Sequence, residues 1–150
     1  MRISSARRSG ATTVECAIVF PVTFLLIVGL VVGAAGMFRY QEMSHLARQG
    51  ARYASVHGTQ WQKDTGLPAA TPQDIYDNAI APGAMGLDQT RLSYTVTWDR
   101  SNAQYHTDIV NGNIVATANT VTVKVTYQWI PEAYLGGITL SSTSVATMQE

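Results

Sequence analysis

The sequence predicts an α+β protein, in which a long N-terminal transmembrane helix extends into an exterior domain with a short helix and a small antiparallel β-sheet. Three observations carry that prediction. First, Cys16 to Phe38 contains no charged residue. At 1.5 Å per residue a helix of that length covers about 35 Å, enough to cross a hydrocarbon core of about 30 Å with modest tilt. Second, Tyr40, Met43, Ala47, Gly50, Ala51 and Ala54 recur at steps of three and four, which places them on one helical face just beyond the span. Third, Leu92, Tyr94, Val96 and Trp98 alternate with polar residues, as do Val121, Val123, Val125, Tyr127 and Trp129, and period-two alternation marks half-buried strands.

The span has its own internal features. Glu15 stands at the entrance of the apolar run, where a carboxylate is costly to bury. The penalty is roughly 2.5–3.5 kcal/mol at the centre of a membrane on insertion scales and less near an interface, so this position calls for a partner. Pro21 removes one backbone hydrogen bond and loosens or bends the helix locally. Gly29, Gly33 and Gly36, with Ala34 and Ala35 beside them, either let a second helix approach closely or are simply tolerated by lipid. Cys16, the single cysteine, has no intrachain partner and reads as a small apolar residue.

Composition narrows the function. The chain is 46% hydrophobic and 13% charged. Arg2, Arg7 and Arg8 precede the apolar run with no acidic residue among the first ten. The positive-inside rule therefore puts the N-terminus in the cytoplasm and the C-terminal domain outside, although Arg39, Arg48 and Arg52 after the span weaken the bias. From Arg39 onward there are seven basic and nine acidic residues, which is no surface for a nucleic-acid backbone. Nucleic acid is excluded as a partner, and the lipid bilayer is expected as one.

Beyond the long helix, which should end near His57-Gly58, Gly66, Pro68 and Pro72 mark a polar loop. Thr71-Pro72-Gln73-Asp74 reads as an N-cap followed by proline at the first helical position, and Ile75, Tyr76, Ala79 and Ile80 give a short apolar stripe. That second helix should stop before Pro82-Gly83. A hairpin of Ile109–Val110 and Ile114–Ala118, joined by Asn111-Gly112-Asn113, and a last strand over Ile138–Met148 complete the sheet region. The strands need a cover for their apolar face, and the small helix residues Ala47, Ala51 and Ala54 suit close approach.

The leader has a distinctive order. Arg7-Arg8-Ser9-Gly10 is followed by Ala11-Thr12-Thr13-Val14-Glu15 and only then by the apolar run. A cut after the small residue Gly10 would remove the basic leader and keep the helix, whereas a secretory signal is cut after its apolar core. This pattern looks like a type IV pilin-type leader, and the segment resembles the start of TadE-like pilus-assembly proteins, minor pilin-like proteins of the tight-adherence (Flp pilus) machinery. After the span, Ala47, Arg48, Gly50, Ala51, Arg52, Tyr53 and Ala54 are similar to that family's Ala-Arg-x-Gly-Ala-Arg-Tyr-Ala signature, and the ending from Trp129 through Met148 is similar too. Arg48 and Arg52 lie one turn apart. They read as a solvated basic edge, as snorkelling side chains or as a protein contact.

The resemblance implies a division into a cleaved basic leader, 1–10, a transmembrane helix with its exterior extension, 11–57, and an exterior α+β domain, 58–150. It implies cleavage between Gly10 and Ala11 by a prepilin peptidase acting in trans, Glu15 as an assembly charge, and other pilin or pseudopilin subunits as partners through the transmembrane helix. The expected location is the bacterial inner membrane, as a single-pass protein with its C-terminal domain in the periplasm. No catalytic chemistry is legible. His45, His57 and His106 are twelve or more residues apart, no phosphate-binding glycine loop follows a strand, and no Gly-x-Ser-x-Gly elbow occurs. A structural protein is therefore expected, with no cofactor and no metal site. The alternative is an uncleaved, signal-anchored exterior binding module, and the mature N-terminus discriminates between the two.

Overall fold

The computed structural model describes residues 9–99, 107–110, 113–116, 120–131 and 136–148. The chain divides into two compact units, Met1–Met37 and Phe38–Glu150. Helix α1, Ser9–Val56, supplies the described part of the first unit and opens the second. It runs through Pro21 without a break in its assignment, as transmembrane-type helices can where neighbouring groups satisfy the freed carbonyl.

In the second unit α1 is followed by α2, Thr59–Thr65, a helix absent from the sequence-based expectation. Its seven residues carry no buried side chain, so no apolar period announced it. Gly66 ends it in the left-handed conformation at φ 73°, donating its N–H to Gln62 O. The predicted N-cap at Thr71 is present. Thr71 Oγ1 accepts from the Asp74 N–H at 3.2 Å and the Asp74 carboxylate accepts from the Thr71 N–H at 2.9 Å, a reciprocal capping box that opens α3, Pro72–Ile75.

The expected stop before Pro82 is not observed. The helical path widens to a π turn over Tyr76–Ile80, closed by Ala81 N–H to Tyr76 O, then tightens to a 3-10 turn over Ala81–Ala84. Proline has no N–H to give and its ring would clash with the carbonyl four residues back. A wider turn just before Pro82 relieves that clash, and Pro82 then sits in the first positions of a new turn, where no N–H is required.

Strands β1, Leu92–Asp99, β4, Thr120–Trp129, and β5, Ile138–Thr147, form an antiparallel sheet in the order β1-β4-β5. Val96 pairs with Val123 and Trp98 with Val121 on one side of β4, while Val123 pairs with Ser144 and Val121 with Ala146 on the other. Strands β2, Thr107–Val110, and β3, Asn113–Ala116, make a separate two-stranded hairpin. Its bounds differ from the expected ones. Asn113 pairs with Val110 inside the ladder, so the connection shortens to Asn111-Gly112, the two-residue sequence that hairpins favour. Residues 117–118 of the expected strand, like that connection, lie outside the described residues.

The core forms where the central strand faces α1. Val121, Val123, Val125 and Tyr127 are buried on one face of β4, and Met43, Leu46, Ala47, Ala51 and Ala54 are buried on α1. Ile75, Ile80, Ala84 and Leu87 close the third side. Each fully buried valine contributes roughly 1.5–3 kcal/mol relative to exposure, so the three on β4 matter to a domain of this size. Tyr40, expected on the same helical face, is instead 47% exposed, because it lies one turn before Met43, where the packed surface begins. Leu46, which the spacing argument passed over, is in the core.

Candidate membrane and assembly segment

The helix residues of the first unit present apolar side chains with nothing in the unit to cover them. Phe20, Leu25 and Leu30 are 69%, 69% and 74% exposed, and Ile18, Phe24, Leu26 and Val31 are likewise open. Thr12–Val56 contains a window long and apolar enough to cross a membrane, and none of that window is buried within the protein. A continuous apolar helix surface of this kind is stable in hydrocarbon or against other helices and costly in water.

The expected site residues on this segment are separate along one helix. Gly10 and Glu15 are exposed, and the Ala11 side chain lies outside the described residues. A Cβ added at Gly29 or Gly33 would meet no atom within 4 Å, so both leave open space on the helix surface. Ala34 is exposed and Gly36 half-buried. Glycines one turn apart with open space beside them permit a close backbone approach by another helix, which the isolated chain does not itself supply.

The signature segment in the second unit divides by chemistry. Ala47, Gly50, Ala51 and Ala54 are buried, and their small size is what lets the sheet sit against the helix. At Gly50 an added Cβ would lie 3.1 Å from Val123 Cγ1 and 3.3 Å from Ile80 Cγ1, which is tight from both sides. Gly83 meets the same helix from the 3-10 turn, where an added Cβ would lie 2.6 Å from Leu46 Cδ2. Arg48 and Arg52 are exposed. Tyr53 is half-buried and stacks on His57 with ring centroids 4.0 Å apart, and His57 in turn meets Trp61 at 4.6 Å. Tyr53 O lies 2.9 Å from His57 Nδ1, which holds the His57 ring onto the last turn of α1.

Charge elsewhere in the second unit is used for local structure. Arg39 Nη1 donates to Glu42 Oε2 at 3.0 Å and to Gly86 O at 3.1 Å, anchoring the loop after the 3-10 turn to α1. The Asp74 carboxyl is held below its ordinary value by the Thr71 hydroxyl and then by the Thr71 N–H. Asp88 is lowered in the same way by the hydroxyl and N–H of Thr90, with Arg91 adding a smaller effect. Both carboxylates are exposed caps. Among the described residues, no three His, Cys, Asp or Glu side chains gather where they could hold a metal ion.

Two features escaped the sequence reading. The Tyr53, His57 and Trp61 ladder has helical i, i+4, i+8 spacing, but it crosses the break at Gly58 and so was split between two elements. The other is a groove of about 510 Å³ between α1 and β5, in which Arg48 and Arg52 stand across from Ser144 to Thr147. Only the fold brings these segments together. The helix spacing did place both arginines on one side.

The family model described as TadE-like protein matches residues 10–52. No curated protein and no solved structure matches the chain. The matched segment begins at Gly10 and ends at Arg52, and it holds the apolar span between them. Over that segment the chain resembles TadE-like proteins, which is consistent with a pilus-assembly protein, and the segment holds one N-terminal helix long and apolar enough to cross a membrane.

Proposed function

We infer that the chain is a minor pilin-like structural protein, a pseudopilin, that acts in assembly of a tight-adherence pilus after processing by a prepilin peptidase. The observation that carries this reading is the family match starting at Gly10 and spanning an apolar run in which none of the membrane-length window is buried within the protein. In this account the peptidase cuts between Gly10 and Ala11, and Gly10 is needed because a larger side chain crowds the peptidase site. The helix is held in the inner membrane with the C-terminal unit in the periplasm. Other pilin subunits pack along it, with Gly29, Gly33 and Ala34 as the close-approach surface.

Glu15 becomes the fifth residue of the mature chain and pairs with an N-terminal ammonium, its own or a neighbour's. An unpaired carboxylate in an apolar assembly would be strongly destabilising, whereas a paired one helps set register. The protein performs no reaction in this reading and needs no cofactor. Mass spectrometry of the protein extracted from membranes of cells with an active cognate peptidase tests it. The expected mass is that of a chain beginning at Ala11, and Gly10→Leu should restore the full-length mass. Recovery of chains beginning at Met1 from the parent sequence would instead favour the uncleaved, signal-anchored binding module.

A further inference from the structure

The groove between α1 and β5 combines two unsatisfied features. Its walls are Arg48, Ala51, Arg52 and Ser55 from the helix and Ser144, Val145, Ala146 and Thr147 from the strand. Neighbouring residues of a strand point to opposite faces. Four consecutive strand residues lining one groove therefore mean that the groove runs along the strand's edge and presents its backbone. That edge is open, because β5 ends the order β1-β4-β5 and no further strand pairs with it among the described residues. Ile138–Thr147 carries no charge, no proline and no glycine, so it has none of the usual devices that keep an edge from pairing. Val145, on the face away from the core, is 62% exposed.

The second feature is charge. Arg48 and Arg52 are exposed, neither side chain makes a hydrogen bond or ion pair with a described residue, and no acidic residue among the described residues lines the groove. They are four residues apart on a helix, a rise of about 6 Å. Alternate residues of an extended strand are spaced by about 6.7 Å on one face. Two carboxylates at positions i and i+2 of a docked strand match the two guanidinium groups in both sign and spacing.

We propose that this groove is a docking site for an extended acidic segment of a partner protein, which adds to the β5 edge through its backbone and pairs two carboxylates in an acidic-x-acidic arrangement with Arg48 and Arg52. Strand addition of this kind takes affinity from main-chain hydrogen bonds and specificity from alternate side chains. Arginine suits the second role because its planar fork meets a carboxylate with two hydrogen bonds. The inference stands on the second unit alone and does not depend on the pilus reading.

The test uses the full chain in lipid nanodiscs, titrated with capped hexapeptides and read by backbone amide shifts and hydrogen exchange. The probe Thr-Glu-Val-Glu-Val-Thr should protect from exchange the alternate amides of 144–147 that face away from β4. An isomer of identical composition with its glutamates adjacent should bind about tenfold more weakly, because it turns one carboxylate to the opposite face. N-methylation of alternate backbone nitrogens should abolish protection, and Arg48→Ala with Arg52→Ala should weaken binding about tenfold while leaving the amide spectrum of the core unchanged. Equal affinity for the two isomers, or unaltered binding by the double variant, would overturn the proposal. So would binding of anionic phosphatidylglycerol vesicles through Arg48 and Arg52 with no response to the peptide.

Discussion

Gly50 lies where the helix, the central strand and the π turn come closest, and its lack of a side chain decides how near they approach. Replacing it with alanine gains roughly 1 kcal/mol of helix propensity, and the added methyl needs shifts of only a few tenths of an ångström at Val123 and Ile80. Gly50→Ala should therefore leave stability nearly unchanged. Gly50→Leu adds three more carbons with no room to receive them, and overpacking of that kind costs roughly 1–3 kcal/mol. Denaturant unfolding of the full chain in detergent, followed by tryptophan emission, should separate the two variants. Glu15 acts at the same scale by another route. Glu15→Val should insert as well as the parent and impair assembly, and pili at normal density in such a strain would remove the pairing role. The family of small residues at Ala47, Ala51 and Ala54 was legible from spacing alone, since buried positions on a helix recur every three to four residues. Leu46 and Gly83 were harder to see. Leu46 is a lone large side chain in a row of small ones, and Gly83 matters only through a residue distant in sequence, so no local pattern exposes it.

Among the elements, β4 gives the sharpest contrast. Val125 is fully buried against the core while Thr126 faces the opposite side, and the two differ by one step along the strand. Val125→Asp should abolish the cooperative unfolding transition because it buries an unpaired carboxylate, and Thr126→Asp should change stability by roughly 0.5 kcal/mol, as surface substitutions do. The cap of α3 responds to pH instead. The Asp74 pKa is lowered in the folded protein, so the stabilisation is full at neutral pH and is lost as pH falls through that lowered value, below the ordinary aspartate range. Asp74→Asn should melt earlier than the parent at pH 7, and the gap should close in strong acid. The strands and this cap were legible because each is written in adjacent residues. The passage through Pro82 was not, because a proline that ends an α-helix can still begin a 3-10 turn once a wider turn precedes it. Likewise α2 has no buried face to create a period. In the apolar segment of α1, Gly33→Leu should lower the yield of crosslinks between engineered helices relative to Leu26→Ile, since it closes the open space beside the glycine.

For the whole molecule, every buried core residue among the described residues lies between Met43 and Pro131, within the unit that starts at Phe38. A chain starting at Phe38 should therefore keep native-like protection of the amides of Met43 to Ala54, measured by hydrogen exchange, and loss of that protection would mean the second unit cannot stand without the first. The strand order carries a further consequence, concerned with time. The helix face from Met43 to Ala54 is made early in synthesis, but the strand that covers it, β4, arrives more than sixty residues later and gains its second neighbour only with β5. At translation speeds of about 5–20 residues per second, the part of that face that β4 covers waits roughly 3–15 seconds for its partner. Ile75, Ile80, Ala84 and Leu87 arrive sooner and close another side, but the strand's side has no lid during the interval. The small residues that let the sheet sit close also limit what can cling to the helix meanwhile, since alanine and glycine offer a collapsing or aggregating neighbour far less apolar area than leucine would. Vectorial emergence thus favours the same modest side chains that the finished interface requires.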